Sequence, residues 1–160
     1  MDATVFRDTI VKPALLKLNR WSDAAEKLIM GTAAQESGLK FTRQIGGGPA
    51  LGYFQMEPAT HDDCWTNFIN FRASLKSKLL SIRQAQGMPS AAELETDHVY
   101  AAAMARVRYM RAPESLPADG KGLARYWKQH YNTPLGAGTI SEFIASWNRL
   151  LAPKPYDRIA

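Results

Sequence analysis

Apolar residues recur along this chain at helical spacing, and the periodic stretches break at proline, glycine and small polar residues. Residues 5–21 place Phe6, Ile10, Leu15, Leu16 and Leu18 in a helical segment that Pro13 kinks or divides. Ser22 and Asp23 read as cap residues of a second helix ending at Glu36 or Ser37, with Asp23 and Glu26 at capping-box spacing. Gly31 within it costs about 1 kcal/mol relative to alanine and leaves room for a close helix contact. Residues 38–56 hold too many glycines for a helix and read as a glycine-rich loop with a short hairpin at most. Pro58 suits the first turn of a third helix, which carries Cys64, Trp65, Phe68 and Ile69. A fourth covers 73–85 through Leu75, Leu79 and Ile82 and stops at Gly87-Met88-Pro89. Ser90 and Glu93 repeat the capping-box spacing before a helix over 97–111 that buries Val99, Ala103, Val107 and Met110. A helix over 122–131 precedes the loop 132–138, and Thr139 and Glu142 cap a last helix through Leu151. Pro153 and Pro155 then open a tail. The expectation is one mostly α domain over 1–160 with about six to seven helices. It divides into an N-terminal helical segment (1–21), a core (22–151) and a tail (152–160).

Composition narrows the function classes more than the fold. The apolar fraction of 46% and charged fraction of 22% are those of an ordinary globular chain. A net charge of +5 favours an acidic partner: nucleic acid, an anionic membrane surface or bacterial cell wall. No nucleic-acid-binding motif is present, so nucleic acid is not an expected partner. The lone Cys64 excludes an intramolecular disulfide and sits beside Trp65 in an apolar stretch, as a buried structural thiol would. The first seven residues lack a basic region leading into an apolar run, so no signal peptide is expected, and no stretch approaches the ~20 apolar residues of a membrane span. The expectation is synthesis in the cytoplasm, with delivery by another agent to any target beyond the membrane. His61, His98 and His130 are far apart and lack metal-ligand spacing, so neither a metal nor a cofactor is expected. The triple glycine 46–48 lacks the Gly-Lys-Ser/Thr continuation of a phosphate loop.

The residue with the strongest chemical signal is Glu36. Ala25, Ile29, Thr32 and Ala33 stand eleven, seven, four and three residues before it and share its helix face, the face a globular helix buries. Burial and the negative end of the helix dipole both disfavour its charged form. A proton held near neutral pH is what a general acid needs. Asp62 and Asp63, in the first turns of the helix opening at Pro58, read as partners of its dipole rather than as a second catalytic carboxylate. Arg106, Arg108 and Arg111 form a basic run near a helix end, suited to the dipole there or to acidic cell-wall peptides.

Three segments in order carry a resemblance. Glu36-Ser37 stands at a helix end. Gly52-Tyr53-Phe54-Gln55 follows, with Met56-Glu57-Pro58-Ala59-Thr60 behind it, and Tyr131-Asn132 comes after a further helix. The pattern resembles that of the lysozyme-like lytic transglycosylases, whose motifs are Glu-Ser, Gly-Leu-Met-Gln with an apolar-Pro-x-Thr signature, and Ala-Tyr-Asn-Ala-Gly. Here the last stands as His130-Tyr131-Asn132-Thr133-Pro134, Leu-Met is Tyr53-Phe54, and glycine occupies 46–48 where many relatives carry a serine. The resemblance spans roughly residues 23–148 and is closest to short lysozyme-like proteins of tailed bacteriophages.

That resemblance implies a lysozyme-like fold and cleavage of peptidoglycan glycan strands between N-acetylmuramic acid and N-acetylglucosamine. Glu36 would act alone, as acid and then as base, leaving 1,6-anhydro ends. Gln55 would bond an N-acetyl group or support Glu36, Tyr131 and Asn132 would hold the sugar beside the acid, and Tyr53 and Phe54 would offer it a flat face. Ser37 or backbone amides of the glycine loop would replace the missing serine. The implied setting is the bacterial cell wall, reached as a virion-associated protein with phage virion or tail proteins as partners. Each residue also has a plainer role: Gln55 satisfying loop amides, Tyr53 and Phe54 as core, Tyr131 and Asn132 as a helix C-cap. A hydrolytic lysozyme and a non-cutting structural protein of the same fold are the alternatives.

Overall fold

The computed structural model describes residues 1–40 and 47–160. The described chain is mostly helical, and one continuous apolar cluster runs through it from Ala3 to Ile159. Its axis is helix α3 (Asp23–Ser37), around which α2 (Lys12–Lys17), α7 (His98–Met110), α8 (Gly120–Trp127) and α9 (Ile140–Leu150) pack. The four residues that share Glu36's face are fully buried, as their spacing predicts. Leu28, Met30, Gly31 and Ala34 on other faces are buried as well. The helix is therefore a core rod rather than a surface helix with one apolar stripe. Its small side chains are what allow neighbours on every side.

Gly31 shows this best. A methyl group there would fall inside van der Waals contact with the Phe143 ring, itself fixed between Trp127 (5.4 Å between ring centres) and Trp147 (6.4 Å). Alanine would gain about 1 kcal/mol in helix propensity but pay overpacking of about 1–3 kcal/mol, because Phe143 is buried and cannot swing away. Gly31→Ala is expected to lower stability by about 1 kcal/mol, read as a shifted urea midpoint. A rise in the midpoint would show that α9 can give way.

The N-terminal segment is helical over α1 (Ala3–Phe6), a π turn (Arg7–Val11) and α2. Pro13 has no N–H to donate and its ring crowds the preceding turn, and the wide π turn just ahead of it takes up the misfit without breaking the helix. Ser22 caps α3, its hydroxyl accepting the Ala25 N–H at 3.0 Å. Glu26, expected in a capping box, instead turns inward: its carboxylate accepts from Trp21 Nε1 at 3.1 Å and the Tyr156 hydroxyl at 2.5 Å.

That last bond corrects the reading of residues 152–160 as a tail. Tyr156 and Ile159 are buried. Trp147 Nε1 donates to the Asp157 carbonyl at 2.9 Å, and Asn148 exchanges two bonds with the Ile159 backbone. The prolines end α9; the aromatic and apolar residues beyond them still bury themselves.

Between α3 and α7 lie α4 (Pro58–Asn67), a 3₁₀ turn (Ile69–Phe71), α5 (Ala73–Ile82) and the single turn α6 (Glu93–Thr96). Helix α5 ends three residues before the expected 85, because Arg83 turns extended and its buried guanidinium clamps Glu93 (2.7 Å) and the Gly87 and Met88 carbonyls. Ser90 N–H donates to Glu93 at 2.8 Å, one half of the expected capping box. Asp97 is the N-cap of α7 rather than part of it. Cys64 is buried and free, in line with a structural thiol. Among the described residues no helix is long and apolar enough to cross a membrane.

Candidate active site

Glu36 is the penultimate residue of α3, which Gly38 closes in the left-handed conformation (φ 63°). Its carboxylate Oε1 accepts a hydrogen bond from Trp127 Nε1 at 3.1 Å, at the last residue of α8. Burial raises its pKa from 4.5 to about 7, outweighing the Trp127 N–H and the positive charge of Arg108, which both favour the ionised form. At neutral pH the group therefore exists in both protonation states. It can deliver a proton and take one back.

Beyond Trp127 the chain enters a second π turn (Lys128–Asn132), which carries Tyr131 into the core. The Tyr131 ring stacks on Tyr109 at 5.2 Å, and its hydroxyl donates to the Phe54 carbonyl at 2.6 Å. Tyr109 in turn shares a hydrogen bond of 2.8 Å with Thr32, on Glu36's own helix face. Burial raises the Tyr131 hydroxyl's pKa well above the usual phenol range, so it stays neutral. The guanidinium of Arg108 lies over the other side of this assembly, 4.4 Å from the Tyr131 ring centre.

Phe54 belongs to a short hairpin, a four-residue turn closed by a two-bond bridge between Leu51 and Met56 (2.9 and 3.1 Å). Gly52 sits in this turn at φ 78°, so close to the Leu94 carbonyl of α6 that a Cβ would collide with it. Gln55 also has a positive φ of 49°, and its amide donates to the Gly52 carbonyl at 2.8 Å, bracing the turn. Of the triple glycine, Gly46 lies outside the described residues.

The motif residues are thus brought together in part. Half-buried Glu36 is held by Trp127, and Tyr131 with the Phe54 backbone joins the same helix through Tyr109 and Thr32, one turn before Glu36. The remaining predicted site residues bond elsewhere. Ser37 is buried and its hydroxyl donates back to Ala33 O at 3.0 Å. Tyr53 packs edge-on against Phe6 (5.1 Å) and His98 (4.8 Å). The buried Phe54 ring lies 6.0 Å from Phe6. Asn132 accepts from Lys128 Nζ at 2.7 Å, and Thr133 after it has φ 73°.

Sequence reading passed over Trp127, although it stands four residues before Tyr131, a helical spacing that could have flagged it. Arg108 was read only as part of a basic run suited to a helix dipole or to acidic cell-wall peptides.

The acids of α4 do not lean on its dipole. Asp62 pairs with the Nδ1 of buried His61 at 2.9 Å, and His61 Nε2 meets the Tyr100 hydroxyl at 2.7 Å. Asp63 is held by Asn67 (2.5 Å) and Arg111 (2.7 Å), whose hydrogen bonds lower its pKa. Among the described residues no group of three or more His, Cys, Asp or Glu side chains is arranged to hold a metal ion. No protein family matches the chain, and no curated protein or solved structure matches it either.

Proposed function

We propose that this chain is a lysozyme-like lytic transglycosylase that cuts the β-1,4 bond between N-acetylmuramic acid and N-acetylglucosamine in peptidoglycan. The observation that carries the reading is Glu36: a half-buried carboxyl at a helix end, held by Trp127, its pKa raised to about 7 by desolvation. The order of the Glu36-Ser37, Gly52–Gln55 and Tyr131-Asn132 segments along the chain supports it.

Protonated Glu36 gives its proton to the glycosidic oxygen as the bond to C1 breaks and positive charge builds on the sugar ring. The C6 hydroxyl oxygen of the same sugar then bonds to C1 and releases its proton to the Glu36 carboxylate. The acid is restored and the product ends in a 1,6-anhydro ring. One carboxyl performs both transfers, in contrast to the two used by most glycosidases. A group balanced near neutrality suits both halves of that cycle. Tyr131, with its hydroxyl bonded to Phe54, supports the site by fixing the hairpin against α7 and the second π turn. The cell wall is the site of action in this reading, with phage virion or tail proteins as the carriers.

Digestion of purified peptidoglycan followed by mass spectrometry tests it. The expected fragments end in anhydro sugars, lighter by one water than hydrolytic ends. Reducing ends would convert the reading to a hydrolytic lysozyme. Binding without release of any fragment would identify a non-cutting structural protein.

A further inference from the structure

A cleft of about 400 Å³ opens beside the Tyr131 assembly, walled by α4, the end of α7 and the second π turn. Three cationic or basic groups line it: Arg108, Arg111 and His130, with Thr60 and Gln129 adding neutral polar atoms. Two of the three already have acidic partners. Asp63, on the same wall, pairs with Arg111 at 2.7 Å, and Glu114 meets His130 at 2.5 Å. Arg108 is different. It is half-buried, its guanidinium is held over the Tyr131 ring, and among the described residues no carboxylate forms an ion pair with it. Its positive charge favours ionisation of the Glu36 carboxyl, without a direct ion pair between them.

A partly buried guanidinium without a counter-charge is costly, and a planar fork of donors is matched best by a carboxylate. Arg108 links the cleft to the catalytic assembly, because the same side chain lines one and covers Tyr131 in the other. We propose that this cleft is a subsite for a carboxylate carried by the glycan substrate, with Arg108 as its specificity-determining residue. The inference rests on the glycan-cleaving reading above. A carboxylate bound there selects substituted cell-wall glycan over neutral polymers of the same backbone. The carboxylate can come from the lactyl group of the sugar or from the attached peptide, and both present the same chemistry to Arg108.

The test uses Glu36→Gln protein, which neither turns over nor changes charge at residue 36, alone and combined with Arg108→Gln. Calorimetry follows three probes: a neutral N-acetylglucosamine hexamer, peptide-stripped glycan strands with free lactyl carboxylates, and peptide-bearing strands in which the lactyl group is amide-linked. Loss of the Arg108 charge is expected to weaken one or both carboxylate probes about ten- to a hundredfold and leave the neutral hexamer unchanged. The affected probe identifies the source. Arg108→Lys should restore part of the affinity, which a merely misfolded variant would not show. An equal loss on all three probes, or no loss on any, overturns the subsite and leaves the glycan reading standing. If folded Glu36→Gln protein binds no glycan at all, the reading beneath it falls as well.

Discussion

Glu36→Gln is expected to abolish cleavage and, above pH 7, to make the folded chain more stable. Removing a general acid costs about a hundred- to ten-thousandfold in rate, and in the proposed reaction the same group is also the base. The stability effect follows from proton linkage. The folded-state pKa of about 7 lies above the 4.5 of the exposed group, so the folded chain holds the proton more tightly. Glu36's favourable contribution is complete below about pH 4.5 and is lost as pH rises through about 7. Above that, ionised Glu36 opposes folding by about 3 kcal/mol. Gln removes that penalty, keeps an acceptor for the Trp127 N–H and adds a buried amide, leaving a gain of about 1–3 kcal/mol at pH 8 and little at pH 4. Urea midpoints at the two pH values measure it. Wild-type cleavage should also decline above pH 7, where the proton to be donated is gone. Retained cleavage by correctly folded Glu36→Gln protein would sink the assignment. An unchanged midpoint at pH 8 would show that the carboxyl is better solvated than its surroundings indicate.

Gly52→Val should cost the most stability of any single change in the hairpin. Two penalties coincide there. A branched residue at φ 78° is strained by about 1–3 kcal/mol, and its Cβ meets the Leu94 backbone carbonyl, which cannot rotate aside as a side-chain tip can. Together they amount to about 3–4 kcal/mol, a large fraction of the stability of a marginally stable domain. If the chain still folds, the hairpin must lift from α6 and draw the Phe54 carbonyl away from the Tyr131 hydroxyl. The expected record is a lowered melting temperature together with a shifted Tyr131 ring signal in NMR spectra. Gly38→Ala provides the contrast. It shares a positive φ, but open space surrounds the added methyl, so only the conformational cost of about 1 kcal/mol applies. Equal losses at the two glycines would contradict the role given to the Leu94 contact.

Helix positions were legible from the chain because their signals are local. Ser22 and Thr139 cap where their side chains can reach the third backbone N–H, and Pro58 opens α4 where its missing N–H is not needed. The failures came where a distant group outbid a local one. Glu26 had a capping-box partner three residues away and turned instead to Tyr156, 130 residues on. The end of α5 followed the reach of Arg83 to Glu93 rather than propensity. Residues 152–160 read as a tail because prolines mark helix ends, while the burial of Tyr156 and Ile159 depends on a groove that other helices build.

The same division runs through the candidate site. Sequence alone placed Glu36 on a buried helix face, since the spacing of Ala25, Ile29, Thr32 and Ala33 follows from helical geometry. It also anticipated the direction in which burial would move the carboxyl's pKa. Which groups surround Glu36 was decided only by tertiary structure. Trp127 lies 91 residues away, and the Tyr131–Phe54 bond joins residues 77 apart. Periodicity cannot encode such pairings, because they depend on how α3, α7 and α8 pack. Nor could a run of three arginines reveal that Arg111 would meet Asp63 while Arg108 would be held against Tyr131. The acid is a property of one helix; its partners are a property of the fold.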